Sequence, residues 1–299
     1  MKILVLSDLH TEYATFLVDP NILQQADVVV LAGDIGSGIN GECIYWARQT
    51  FGDLPIVFVP GNHEYYTRDP EMTMSVINQH MKDAALETGV HLLRHHTSGN
   101  ACIIDGVRFI GDTLWTDYAL FGKDKVDAAM AATQRAIADY RFIRMTPDLE
   151  DGTSGLLTPF MSAAMHRNAV QWLKTELNRA APNKKFNQTV VATHMFPSMR
   201  SCAAPHRKNL ISAGFGSNLD RLLNLYGDSK GTRGATLWLH GHTHTSMSYA
   251  TGSNLDSAHN AHTSKGSTWV VCNPRGYPMG SVPGAFENPV FNPNLIIQM

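Results

Sequence analysis

Apolar residues in this chain come in short continuous runs, each cut off by polar residues. Lys2 to Leu6 is followed by Ser-Asp-Leu-His, Asp27 to Leu31 by Ala-Gly-Asp, and Ile56 to Val59 by Pro-Gly-Asn-His. Such runs predict strands of a parallel sheet covered on both faces. Between them, Gly41 to Phe51 reads as a helix. A second helix is expected to open at Asp69-Pro70 and to carry Ile77, Met81 and Ala84 on one face. Polar clusters after three strands gather at one sheet edge, where open α/β sheets bind ligands.

The pattern then changes. Ala101 to Ile104 and Val107 to Ile110 flank Asp105-Gly106, a two-residue hairpin signal. Lys123 to Arg144 reads as one helix, and Thr158-Pro159 opens another through Met165, Trp172 and Leu177. The stretch of about 115–187 is therefore mainly helical, either as a cap-like insertion over the sheet edge or as helices packed on a sheet face. Strand signals return at Thr189 to Thr193, Ala235 to Leu239, Met247 to Tyr249, Thr268 to Cys272 and Leu295 to Gln298, with a helix expected over Ser217 to Tyr226. Residues 250–266 are small and polar and read as a long mobile loop. No repeat or boundary divides the chain, so 1–299 is expected to form a single domain.

Composition narrows the classes. With 24 Lys and Arg against 26 Asp and Glu, the net charge is -2. That balance does not indicate a nucleic-acid partner, though a local basic groove remains compatible with it. No apolar run reaches the roughly 18–20 residues of a membrane span. Cys43, Cys102, Cys202 and Cys272 lack C-x-x-C spacing, which points to buried thiols in a reducing compartment. The N-terminal apolar run is too short for a signal peptide, and cleavage would remove Asp8 and His10; a cytoplasmic protein is expected.

The chemistry lies in five clusters that end strands: Asp8-Leu9-His10, Gly33-Asp34, Gly61-Asn62-His63-Glu64, Thr193-His194 and Gly241-His242-Thr243-His244. They offer oxygen and imidazole nitrogen but no sulfur, a set suited to divalent Mn, Fe, Co, Ni or Zn. Glycine beside three clusters suits a sharp turn after a strand.

These clusters, in this order, resemble the calcineurin-like metallophosphoesterase superfamily through D-x-H, G-D, G-N-H-E, H and G-H-x-H. The resemblance implies an α/β (α+β) fold, a four-layer αββα sandwich of two packed mixed β-sheets flanked by helices. It implies two divalent metal ions, one held by Asp8, His10 and His244, the other by Asn62, His194 and His242, with Asp34 bridging. It further implies in-line attack on a phosphoester by a metal-bridging hydroxide, with His63 as proton donor. Glu64 is expected to orient the loop or a ligand histidine, and His240 to be structural or to lie outside the ligand shell.

The chain departs from the serine/threonine phosphatases of that superfamily. Their G-D-x-x-D-R-G is here Gly33-Asp34-Ile35-Gly36-Ser37-Gly38, without the Asp and Arg. The complete set resembles instead the bacterial phosphodiesterase-like members, so a small phosphodiester is the expected substrate. A phosphomonoesterase, a nuclease and a non-catalytic scaffold are the alternatives. Arg275, and on the helical stretch Arg141 and Arg144, are candidate phosphate contacts; a turn with an exposed Arg275 is the competing reading. Trp115 is expected to pack rather than stack a base. Phe196-Pro197-Ser198 leads into a loop that could contact substrate. His259 and His262 are expected to be solvated, and His91, His95 and His96 carry no assigned role.

Overall fold

The computed structural model describes residues 1–94, 101–146, 155–179, 186–225, 234–251, 267–280, 282 and 284–299. Two mixed sheets carry the architecture. The first contains β1 (Lys2–Leu6), β2 (Val28–Ala32), β3 (Ile56–Val59), β4 (His91–Leu92) and the C-terminal β11 (Ile296–Gln298), in the order β11-β1-β2-β3-β4. Strands β1 to β4 are parallel and β11 runs antiparallel to β1. The second is built from β5 (Ala101–Ile104), β6 (Val107–Asp112), β7 (Gln188–Thr193), β8 (Leu237–His240), β9 (Met247–Ala250) and β10 (Trp269–Cys272), in the order β5-β6-β7-β8-β10-β9. Its central strands are parallel, and β5 and β9 are antiparallel edges. The hairpin turn between β5 and β6 places Asp105 and Gly106 at φ 45° and 77°, the left-handed pair that Asp-Gly tolerates.

The continuous apolar runs of the inner strands have the reason the sequence suggested: both faces of β1, β2, β3, β6, β7 and β8 are covered, whereas the edge strand β5 is an apolar run left partly exposed. Ile3, Val5, Val28, Val30, Val57 and Val59 form one buried cluster with Phe109, Val190, Ala192, Leu237, Leu239 and Val271 of the other sheet. Alternate residues turn outward to helices. Leu6, Leu31 and Phe58 join Ile44 and Phe51 of α2 (Glu42–Phe51) and Ile77 and Met81 of α3 (Met74–Thr88). Ile110, Val191 and Trp238 join Ala169, Leu173 and Leu177 of α6 (Pro159–Asn178). Helix, sheet, sheet and helix give the expected four layers. Each buried Val or Leu contributes on the order of 1.5–3 kcal/mol, so the strand interiors dominate stability.

Three helix expectations need correction. Asp69-Pro70 forms a turn in which Asp69 accepts from the Glu71 N–H; α3 starts at Met74, capped by the Thr73 hydroxyl. The helix expected over Lys123 to Arg144 is broken: a 3₁₀ turn (Lys123–Lys125) leads into α4 (Val126–Ala136), Ile137 is extended, and α5 (Asp139–Phe142) follows. Ser217 caps nothing, because its hydroxyl accepts from the Asp117 N–H and pairs with Thr116; the helix there is only α7 (Asp220–Leu223), after a first short α1 (Pro20–Leu23) near the N-terminus. Thr158, by contrast, caps α6 as expected, accepting from the Met161 N–H. The helical stretch splits in two: α6 contacts β6, whereas the junction of α4 and α5 borders the cleft described below. His95, His96, Tyr226 and residues 252–266 of the expected loop, with His259 and His262, lie outside the described residues. No described helix is long and apolar enough to cross a membrane.

Candidate metal centre

The carboxyl ends of β1, β2 and β3 meet those of β7 and β8. There the structure brings together Asp8, His10, Asp34, Asn62, His194, His242 and His244, with His63 beside them. Five of these residues, Asp8, His10, Asp34, His242 and His244, have φ between 45° and 69°. Non-glycine residues in the left-handed region carry strain, which Asp and His bear better than most. β1, β2 and β8 thus end in reversals that turn donors inward, whereas Asn62 after β3 and His194 after β7 reach the centre without a left-handed residue.

Close packing of ligand rings explains the glycines better than turns do. Gly33 has the expected left-handed φ of 87°. A Cβ at Gly61, however, would stand 2.1 Å from Asp34 Oδ1 and 2.8 Å from His194 Cε1. At Gly241 it would meet Asp8 Oδ2 at 2.5 Å. Neither of these two has positive φ, so they serve to let donors approach the backbone.

Donor atoms crowd in two groups, Asp8–His10–His244 and Asp34–His194–His242, and a third joins His10, Glu12 and His63. His10 Nε2 lies 3.2 Å from His244 Nε2, which is 3.4 Å from Asp8 Oδ1. His194 Nε2 lies 3.1 Å from both His242 Nδ1 and Asn62 Oδ1, and 3.2 Å from Asp34 Oδ2. The same Asp34 oxygen is 4.0 Å from His10 Nε2, so it faces both groups. Ligands on one ion at about 2.1 Å stand about 3 Å apart, so the spacing and the oxygen–imidazole chemistry fit divalent metal ions.

Three of the histidines are held in place through their other nitrogen. His194 Nδ1 donates to the Ala32 carbonyl at 2.9 Å, His10 Nδ1 to Glu12 at 3.1 Å, and His244 Nδ1 to Glu287. Each such bond fixes the tautomer and aims the other nitrogen at the centre. Asp139 accepts from the Asn62 amide at 2.8 Å and from the Tyr66 hydroxyl at 2.6 Å, which turns the Asn62 oxygen toward His194. Glu64 accepts backbone N–H groups of Asp34, Ile35, Gly36 and Gly61, clamping the β2 and β3 loops together. Burial, with Asp34 nearby, pushes its carboxyl up to about 7 against the pull of those donors.

Electrostatics agree with a cation site. Burial opposes the charge of Asp8, yet hydrogen bonding to His244 and the nearby histidines hold it at about 2. Against the same penalty, Asp34, through its charge and a hydrogen bond, raises His194 to about 9. Bonds to Asp8 and Glu287 likewise overcome burial and raise His244 to about 10. Buried carboxylates thus draw positive charge into the centre, which is what bound metal ions would supply.

His63 stacks edge-on to His10 with ring centroids 4.5 Å apart, and its backbone N–H donates to Asp34. Its Nδ1 is 3.1 Å from Glu12 Oε1 and its Nε2 is 2.6 Å from the Tyr277 hydroxyl. A carboxylate partner for His63 therefore comes from Glu12, two residues after His10. Burial alone would lower the His63 pKa, but Asp34 and Glu12 outweigh it and raise it.

The candidate arginines fall elsewhere. Arg275 is neither at the rim nor exposed: it is 2% accessible and donates to the carbonyls of Leu9, Ala14 and Thr15. Arg141 is exposed on α5 and Arg144 half-buried after it; neither borders the cleft. His240 bonds Ser201 and the Gly241 carbonyl, and Trp115 is buried in the core. Over the donors opens a cleft of about 600 Å³, lined by Asp34, Asn62, His63, His242 and His244 and, beyond them, by residues that include Phe196, Phe215, Ile137 and Ile211.

The family model for calcineurin-like phosphoesterases matches residues 1–246. An uncharacterized protein of Acanthamoeba polyphaga mimivirus is 24% identical over 268 residues, 82% of this chain and 85% of that one. The phosphopantetheinyl hydrolase of Mycobacterium tuberculosis superposes with a TM-score of 0.60 at 17% identity, covering 93% of this chain and 90% of that one. A dimetal phosphatase from Danio rerio gives 0.41 at 14% identity, covering 91% and 86%. With the family model spanning all five clusters, the chain belongs to the calcineurin-like phosphoesterases, metal-dependent hydrolases of phosphoric esters.

Proposed function

We propose that the protein is a dinuclear phosphodiesterase acting on a small phosphate ester, with His63 as proton donor. The reading is carried by one observation: two donor groups face each other across Asp34 Oδ2, with the His63 ring beside them. Asp8, His10 and His244 would hold one ion, Asn62, His194 and His242 the other, and Asp34 would be shared. Bound there, two divalent ions supply positive charge for the phosphoryl oxygens and bring the ionisation of water toward neutral pH.

The chain's own residues do the rest. Asn62 contributes a neutral oxygen, which leaves the centre electrophilic. His63, held at Nδ1 by Glu12, presents Nε2 to the leaving oxygen, and Tyr277 holds that nitrogen until substrate takes its place. Proton transfer to the departing alkoxide removes the largest obstacle to breaking the P–O bond. A diester carries one negative charge, whereas a monoester approaches about −2 near neutrality. Among the described residues no Lys or Arg lines the cleft to meet the second charge, which favours the diester. The four cysteines are unpaired, in keeping with a cytoplasmic setting.

Competition settles the preference. Manganese-loaded enzyme given bis(p-nitrophenyl) phosphate and p-nitrophenyl phosphate at equal concentration is expected to consume the diester faster and to stop with excess chelator. Faster monoester cleavage would overturn the diester assignment, and hydrolysis unaffected by chelator would overturn the whole reading.

A further inference from the structure

The cleft has two unlike ends. One holds the carboxylates and histidines. The other carries an apolar face, Ile137 from the junction of α4 and α5, Phe196 after β7, and Ile211 and Phe215 from the segment that follows, in a lining that also holds the polar His206, Asn209 and Ser212. The mechanism above uses none of the four apolar side chains.

This wall is built rather than incidental. A Cβ at Gly214 would stand 2.6 Å from Ile137 Cδ1, and one at Gly216 would lie 2.4 Å from Phe196 Cδ2. Both apolar side chains are thus seated directly on glycine backbone. Phe196 is also tied to the segment by N–H donation to Phe215 and by accepting from Ser217. Phe215 lies against the His242 ring at 4.7 Å, which places the apolar end beside the Asn62–His194–His242 side of the centre.

Charge points the same way. Arg200, on the bordering segment, donates to the Ala250 carbonyl and lies over Tyr249. Arg207 donates to the carbonyls of Cys202 and Arg200, and Arg275 is buried as described. These guanidiniums are committed to backbone, and among the described residues no Lys or Arg lines the cleft, so a second phosphate or a carboxylate on the substrate would find only histidines, His206 among them, to meet it. A cleft of about 600 Å³ also lies within the range of small-molecule sites.

We infer that this enzyme selects a phosphoester whose ester group is an uncharged, apolar body of about ring size, seated against Ile137, Phe196, Ile211 and Phe215. The inference rests on the phosphoesterase reading and adds its substrate class. It disfavours nucleic acids and nucleoside polyphosphates.

Ethyl, benzyl and 4-carboxybenzyl esters, each as methyl phosphodiester and as monoester, share a primary alkoxide leaving group and differ in the body. On manganese-loaded enzyme, kcat/KM for benzyl is expected to exceed that of the other two at least about tenfold. Ethyl-, benzyl- and 4-carboxybenzylphosphonate should rank alike in calorimetric affinity. Ile211→Arg should shrink the benzyl advantage over 4-carboxybenzyl, and Ile137→Ala the advantage over ethyl. An active wild type that treats benzyl and ethyl alike, or prefers 4-carboxybenzyl, overturns the inference and leaves the phosphoesterase reading intact. Absence of metal-dependent hydrolysis of all the esters overturns both.

Discussion

At the scale of single residues, the centre depends on side chains that never point at a metal. Asp139 is the clearest case. Its carboxylate is buried, takes hydrogen bonds from Asn62 and Tyr66, and leaves Asn62 only one useful orientation. Asp139→Ala is expected to weaken manganese binding about 10- to 100-fold by calorimetry, with Asp139→Asn intermediate because its carbonyl still accepts. Unchanged affinity in the alanine variant would mean that Asn62 holds its orientation without help. Glu12 shows how hard such partners are to read from sequence. It follows His10 by two, the same spacing as His242 and His244, but it lies outside the D-x-H run and is not among the expected site residues. Asp139, Tyr277 and Glu287 carried not even a spacing signal. Asp139 sits just past a helix break, and the other two lie in a C-terminal stretch without hydrophobic period.

At the scale of elements, the strands were readable and helix starts were less so. A strand buried on both faces reads as an unbroken apolar run, and its end is marked by the first polar residue. Helix boundaries depend on local competition. Thr73 displaced Asp69-Pro70 as the cap, and Ser217 spent its hydroxyl on Asp117 instead of starting a helix. Helix α6 carries a testable consequence. His166 is 3% accessible and donates Nδ1 to the Leu114 carbonyl, with Asp117 4.0 Å from Nε2. Burial lowers its pKa below 6.5, although Asp117 opposes the shift. The folded chain therefore binds fewer protons than the unfolded chain below that value. This contribution to stability is complete above pH 6.5 and is lost as pH falls toward the folded pKa. Urea unfolding of wild type and His166→Gln should show a stability difference that moves against the wild type as pH falls from about 7 to about 5. A pH-independent difference would show that the ring is as easily protonated folded as unfolded.

At the scale of the whole molecule, two sheets with buried interiors present five strand ends to one place, and the donors there crowd around buried carboxylates in an arrangement that fits cations. The net charge of -2 gave no hint of this, because it sums over a chain whose local field is set by a few buried carboxylates. The ligand set was legible since each donor follows its strand directly; the cleft's apolar wall was not, since it forms only when Ile137, Phe196 and Phe215 meet across the fold. The most direct test measures manganese stoichiometry and diester turnover together, in wild type, Asp34→Asn and His63→Ala. The account predicts two ions per chain in wild type and His63→Ala, fewer in Asp34→Asn, and turnover only in wild type. One ion in the wild type, or a fully active His63→Ala, would contradict it.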